Sequence, residues 1–211
     1  MKIKFLSFIL LLVVNSIVAQ KSFEGVITYK LSFHDKTGEM SDEEAAQFMG
    51  SEQVYYIKGN KYKSVMNGML SMSQYYTGKD SIYTRMATGN NLMYLKSDEQ
   101  KEEVLSMKEK KSAAKIMGKN CDLLDITTNE GTTQYYFTSD FKVNSEDYKN
   151  HKYGLWYYCL DKANGSLPVK LIMDTEELKL TIEAVKVETK ELDDAIFELP
   201  KGMNIIKMPE E

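Results

Sequence analysis

Ser22-Phe23-Glu24-Gly25-Val26-Ile27-Thr28-Tyr29-Lys30-Leu31-Ser32-Phe33 alternates in polarity along its whole length. Phe23, Gly25, Ile27, Tyr29, Leu31 and Phe33 share one parity, while Glu24, Thr28, Lys30 and Ser32 share the other. Successive side chains of a strand point to opposite faces, so this period of two predicts a long strand with one buried and one wet face. The same pattern returns near the other end of the chain. Leu167, Val169, Leu171 and Met173 alternate with Pro168, Lys170 and Asp174. Leu178, Leu180 and Ile182 then share a face, and Val185 and Val187 follow with opposite parity. A parity switch inside a strand marks a bulge that bends the sheet.

Turn signals divide the rest. Gly59-Asn60, Thr77-Gly78, Gly89-Asn90, Glu130-Gly131 and Asn164-Gly165 each separate a pair of β-prone segments, and such dipeptides supply the positive φ that tight hairpins require. Regular short strands with these turns predict a mainly β fold: one curved antiparallel meander, without parallel crossovers. Ser41 with Glu44 forms a capping box, and Gly50 supplies a stop, so a helix is expected over Asp42–Met49. A turn around residues 145–150 is a second, short helical segment, and residues 98–117 fit neither period well.

The N-terminal residues predict export. Lys2 and Lys4 precede an apolar run from Phe5 to Val14 broken by Ser7; Asn15 and Ser16 end it, and Ala19-Gln20 offers a cleavage point. That order is what a signal peptidase reads. A membrane span needs about 20 apolar residues, roughly twice this run. Residues 1–19 are therefore read as a removable signal peptide and 20–211 as a single domain, periplasmic or secreted, with no stable membrane span. Loss of Lys2 and Lys4 takes the net charge from -4 to -6, since two positive charges leave and no negative ones do. An acidic chain whose one arginine is Arg85 is poorly equipped to hold phosphates, so nucleic acid is not expected as a partner. Cys121 and Cys159 are the two cysteines. Both fall in segments that read as strands, and in an oxidising compartment they are a candidate structural disulfide; the alternative is two buried free thiols.

No constellation for chemistry emerges. His34 and His151 stand in polar, turn-like settings and read as surface histidines, and no Gly-x-Ser-x-Gly elbow surrounds a serine, so nucleophilic catalysis lacks its base. Two cysteines and two histidines far apart in sequence lack zinc-ligand spacing. The carboxylates at 42–44, 174–177 and 193–194 read as solvated charge at a helix start and beside turns. A non-enzymatic protein without metal or cofactor is expected. What stands out is the apolar inventory of 14 tyrosines, 8 phenylalanines and 13 methionines. Leu92-Met93-Tyr94-Leu95 and the run from Leu155 to Leu160, with Trp156, Tyr157 and Tyr158, are apolar on both faces if they are strands. Such strands must be covered on both sides or offer one face to a ligand. Phe48, Met49, Leu92, Tyr94, Trp156 and Tyr158 are accordingly the candidate ligand-binding residues, against the alternative of a well-filled core.

Four short motifs carry a resemblance: Phe23-Glu-Gly-Val-Ile-Thr-Tyr29, Tyr55-Tyr-Ile-Lys-Gly-Asn-Lys-Tyr62, Ile116-Met-Gly-Lys-Asn-Cys121, and Leu192-Asp-Asp-Ala-Ile-Phe-Glu-Leu-Pro-Lys-Gly202. With them the chain resembles an uncharacterised family of secreted Gram-negative proteins, itself similar in architecture to LolA and related outer-membrane lipoprotein carriers. The resemblance implies a half barrel wrapped around one or two short helices, with an apolar concave side. It implies a carrier or binding protein for an apolar ligand, lipid or lipidated protein, with the Ala45–Met49 helix as a lid. The rival expectation is an envelope scaffold with a filled core that uses exposed tyrosines and Trp156 as partner anchors.

Overall fold

The computed structural model describes residues 22–209; the expected leader and its cleavage point lie outside the described residues. Twelve strands form one curved sheet: β1 (Gly25–Asp35), β2 (Glu52–Lys58), β3 (Lys61–Met66), β4 (Ser73–Tyr76), β5 (Ser81–Arg85), β6 (Asn91–Lys96), β7 (Val104–Ile116), β8 (Lys119–Thr128), β9 (Gly131–Lys142), β10 (Ser166–Thr175), β11 (Leu178–Thr189) and β12 (Asn204–Lys207). Their spatial order is β12-β6-β5-β4-β3-β2-β1-β11-β10-β9-β8-β7. The chain meanders outward from β1 to β6, restarts at the far edge with β7, and returns through β11 to pair with β1. Every pairing is antiparallel except β12 with β6, which is parallel; the expected absence of parallel pairing fails at this one edge.

The two meanders meet at the β1–β11 seam. Gly25 opposes Thr189 and Asp35 opposes Leu178, with the register shifting between Thr28 and Tyr29. Because Thr28 faces Lys186 and Tyr29 faces Ala184, Val185 is the extra residue, the bulge that the parity switch predicted. It stands 56% exposed, and its insertion lets both Ile182 and Val187 pack against the core. The odd residues of β1 line the inner face. Ile27 and Tyr29 belong to the main core cluster, and Leu31 and Phe33 to a second one under α1 (Asp42–Met49). On the outer face Val26 packs with Leu192 and Phe197. These come from a C-terminal strap that Glu24 anchors, its backbone oxygen accepting from Lys190 N and its carboxylate from Leu192 N. The start of β1 is thus covered on both sides, while Lys30, Ser32 and His34 farther along the outer face stay exposed.

α1 forms where expected, with Ser41 and Glu44 bonding reciprocally across its first turn. The second, short helical segment also forms where expected, though not as an α-helix. Residues 145–148 make a 3-10 turn, and the apolar run read as a two-faced strand is helix α2 (Trp156–Lys162). A short apolar run fits either element, and here the entry decides. Gly154 and Leu155 have φ of 63° and 58°, left-handed values that a branched residue adopts only when surroundings enforce them. Leu155 is buried in the core against β8 and β9. Asn164-Gly165 therefore joins a helix to β10. At Gly165, φ is +76° and a Cβ would lie 2.1 Å from Val143 O, so the tight return needs glycine. The ambiguous segment 98–117 is largely β7, an exposed edge strand that carries Lys108, Glu109, Lys110, Lys111 and Lys115, charges that discourage edge-to-edge pairing.

The candidate disulfide is corrected by the structure: Cys121 and Cys159 are both free and buried. Cys121 sits on β8 in the main cluster and Cys159 on α2 in a separate one. The misreading of α2 as a strand is what made the pairing attractive. Thiol labelling checks this: reagent added to unfolded, unreduced protein should label both cysteines, and the folded protein should label slowly because burial pushes the Cys159 thiol up to about 12. A second expectation concerns the seam. Ile27 is fully buried, so Ile27→Ala lowers stability in urea titration by about 2–5 kcal/mol.

Candidate functional site

The inner face is divided between a plug and a lid. The plug is aromatic. Tyr55 and Tyr62 come from β2 and β3, Tyr76 from β4, Tyr148 and His151 from the turns before α2, and Trp156 from its first residue. Trp156 stacks on Tyr55 with centroids 6.2 Å apart and rings 7° from parallel. His151 meets Tyr76 edge-on at 4.7 Å, and its Nε2 shares a 2.8 Å hydrogen bond with the Tyr62 hydroxyl. Tyr148 donates to Gly59 O at 3.1 Å. Tyr29, from β1, donates across the sheet to Pro168 O at 2.8 Å. Ser97, at the end of β6, donates to Asn150 O and receives Lys152 N and Tyr153 N on its own carbonyl. The rings pair in tilted and stacked geometries. The Tyr29 and Tyr148 hydroxyls bond backbone and Tyr62 bonds His151, while Trp156 Nε1 is buried without a hydrogen-bond partner, so ring packing is what fills and orders this interior.

Burial sets the plug's electrostatics. Desolvation pushes Tyr62 and Tyr29 well above the ordinary tyrosine range and Tyr55 up to about 12. It pulls His151 from 6.5 down to about 4, against the opposing pull of backbone hydrogen bonds. The expectation of a surface histidine is therefore corrected for His151: it is 3% exposed. His34 is exposed and bonds Asp42 on α1 at 3.1 Å.

The lid covers the Asp35 end of the same face. It consists of α1 and the loop 67–72 between β3 and β4, zipped by Met69 N to Gln47 O and Leu70 N to Phe48 O. Asn67 Oδ1 accepts from Ser51 N and Glu52 N. At Gly68 a Cβ would lie 2.3 Å from Gly50 N and 2.6 Å from Phe48 O, so the two pieces touch backbone to backbone. Beneath them, Ala45 packs on Leu31 and Phe33, with Met49, Met66, Leu178 and Leu180 half-buried around it. Outside, Phe48 is 41% and Met69 74% exposed.

The six residues singled out in the sequence do not share a surface. Phe48 and Met49 lie in the lid. Trp156 belongs to the plug, and Tyr158 packs beside Leu155 and Cys159. Leu92 and Tyr94 face the other way. On β6, Leu95 opposes Ile82 and packs against the inner cluster; Leu92 and Tyr94 have the opposite parity, so they lie on the outer face, where Tyr94 meets Tyr83. Sequence reading missed Met66, which packs under α1 with Ala45 and Met49, and Met69, whose N donates to Gln47 O from about 20 residues away in sequence. Three of the open hollows measure about 290 Å³ beside Phe23 and Glu191, about 560 Å³ beside Leu95 and Met208, and about 280 Å³ beside Phe48 and Met69. None of these three is lined by Trp156, Tyr55 or Tyr62. Among the described residues no three His, Cys, Asp or Glu side chains gather as metal ligands, and no helix is long and apolar enough to cross a membrane.

No family model and no curated protein matches the chain. Among solved structures it is similar to the LolA superfamily protein NE2245 from Nitrosomonas europaea, with a TM-score of 0.40 and 8% sequence identity, over 85% of this chain and 92% of that one. A likeness of that degree assigns neither ligand nor chemistry.

The plug has a pH signature. His151 is held neutral in the folded chain and titrates near 6.5 once unfolded, so the unfolded state binds the extra proton first and stability falls as pH drops from about 6.5 toward about 4. Denaturant titrations at pH 7 and 4.5 should differ by about 2–3 kcal/mol from this residue. In His151→Phe that slope should flatten, leaving the losses at lower pH from hydrogen-bonded carboxylates such as Asp122, whose acidity is raised chiefly by Ser112 N.

Proposed function

We propose that this is an exported, non-enzymatic binding protein that takes an apolar chain, from lipid or a lipidated protein, at the lid end of its inner face. The observation that supports it is the contrast between the two halves of that face. The plug interlocks rings with satisfied hydroxyls, whereas α1 fully buries only Ala45 and stands over a half-covered layer of Met49, Met66, Leu178 and Leu180. Methionine fits irregular apolar shapes with little penalty for mismatch. Lifting the lid would expose this layer together with Leu31 and Phe33, and an entering chain would replace the lid's contacts. Each 100 Å² of apolar surface so covered contributes roughly 2.5 kcal/mol.

The test combines native mass spectrometry of protein taken from its own cell envelope with displacement of an uncharged fluorescent alkyl probe in vitro. A retained apolar adduct and micromolar probe binding are expected. Met49→Ser with Met66→Ser, in the layer beneath the lid, should weaken the probe about tenfold, a loss of about 1.4 kcal/mol, while Trp156→Phe in the plug leaves it unchanged. Bare protein together with no probe binding overturns the reading.

The filled plug favours a second reading, an envelope interaction module. Trp156 is then no surface anchor, because it is packed among Tyr55, Tyr62 and Tyr148. The outward tyrosines Tyr83 and Tyr94 would take that role, and partner capture would be lost in Tyr94→Ala whether or not lipid is present.

A further inference from the structure

The lid's outer surface carries a second feature that apolar binding does not use. Met40, Phe48 and Met69, all exposed, surround one open hollow of about 280 Å³ together with Glu39, Glu44 and Gln47. From His34 to Glu52 the chain holds six carboxylates, Asp35, Glu39, Asp42, Glu43, Glu44 and Glu52, against one lysine, Lys36. That lysine is engaged with Asp174 and Thr175 O. The loop from Met66 to Met72 adds no charge.

Folding explains some of this charge. Glu44 completes the capping box, Asp35 accepts from Thr37 and Met40, and Asp42 meets His34. These hydrogen bonds hold Asp35 and Glu44 below the ordinary carboxylate range, so both stay ionised. Glu39 and Glu43 are different: among the described residues their carboxylates make no hydrogen bond or ion pair. Glu43 gains a little from the helix dipole, whereas Glu39 precedes the helix and gains nothing from it. An exposed methionine and phenylalanine patch inside an unneutralised acidic rim is complementary to a cationic, amphipathic surface and repels carboxylate or phosphate headgroups.

We propose that the lid docks a basic amphipathic polypeptide segment, whose apolar stripe covers Met40, Phe48 and Met69 while its lysines or arginines face Glu39 and Glu43. This rests on the lid end being the binding region and adds which polypeptide its outer side selects. A helix presenting apolar residues at i, i+3 and i+4 matches a patch of this kind, and flanking cations raise the association rate while acting over about 10 Å at ordinary salt.

The full-length mature protein would be titrated with three dye-labelled peptides that share one leucine stripe and differ in their polar positions: lysine, glutamine or glutamate. The lysine peptide should bind about tenfold more tightly than the glutamine one, the glutamate peptide should not bind, and the gap should close near 0.5 M salt, where the screening length falls to about 4 Å. The double variant Glu39→Lys with Glu43→Lys should remove the lysine preference but keep the glutamine peptide, its unchanged thermal midpoint showing an intact fold. Phe48→Ser with Met69→Ser should weaken both peptides. Equal binding of all three peptides overturns the charge selection and leaves the lid reading standing. Lysine-peptide binding indifferent to both variants, or avid binding of anionic vesicles, overturns the docking site. Failure of every peptide and of the uncharged alkyl probe overturns the lid reading itself.

Discussion

The pairing of β1 with β11 is the constraint on which the remaining structure depends. Each meander is built from neighbouring strands and could be assembled locally, but their inner faces become one surface only when residues near 25–35 meet residues near 178–189. The seam combines an antiparallel ladder with a bulge at Val185 and apolar cover on both sides of the start of β1. Without the bulge, Ile182 and Val187 could not both turn inward, since one residue of slip sends a side chain to the opposite face. The strap that covers Val26 then runs on to β12 and closes the far edge by parallel pairing with β6. A contact of this sequence separation has a large loop-closure cost, and such topologies fold slowly.

Once closed, the curved sheet offers more inner surface than one short helix can cover, and the two ends meet that demand differently. At the Gly25 end, rings from β2, β3 and β4 interlock with those carried in by residues 148–156, and hydroxyls such as those of Tyr62 and Tyr148 find partners. Such a cluster tolerates little rearrangement, because opening it would strand buried hydroxyls and a neutral imidazole. At the Asp35 end, a two-turn helix and a loop are joined by a few backbone bonds over methionines. The low-stability end of a fold is where binding segments are drawn from, and the softness of this end follows from its composition.

Charge is distributed with the same asymmetry. The exposed β7 edge interleaves lysines with glutamate, and Lys111 bridges Glu109 and Asp122 across a bulge. That pattern keeps a long unpaired edge from recruiting a second sheet. Around α1, by contrast, acidic groups outnumber their partners, and capping accounts for only some of them. The surplus sits beside the largest cluster of exposed methionine and phenylalanine on the lid.

What the chain determined by itself is everything carried by local period and turn chemistry: the long β1, the strands of β10 and β11, most hairpins, the bounds of α1 from Ser41 to Gly50, and the bend at Val185. These were legible because alternation, capping and positive-φ turns depend on neighbours a few residues away. Phe48 and Met49 could be assigned to a helix face for the same reason. The tertiary structure alone decided three matters. The run from Leu155 to Leu160 became a helix because its buried setting and left-handed entry outweighed an ambiguous pattern. Leu92 and Tyr94 went to the outer face because β6 takes its register from β5. Cys121 and Cys159 remained apart, and Met66 and Met69 came under and beside α1, because packing between distant segments fixes distances that sequence spacing does not encode.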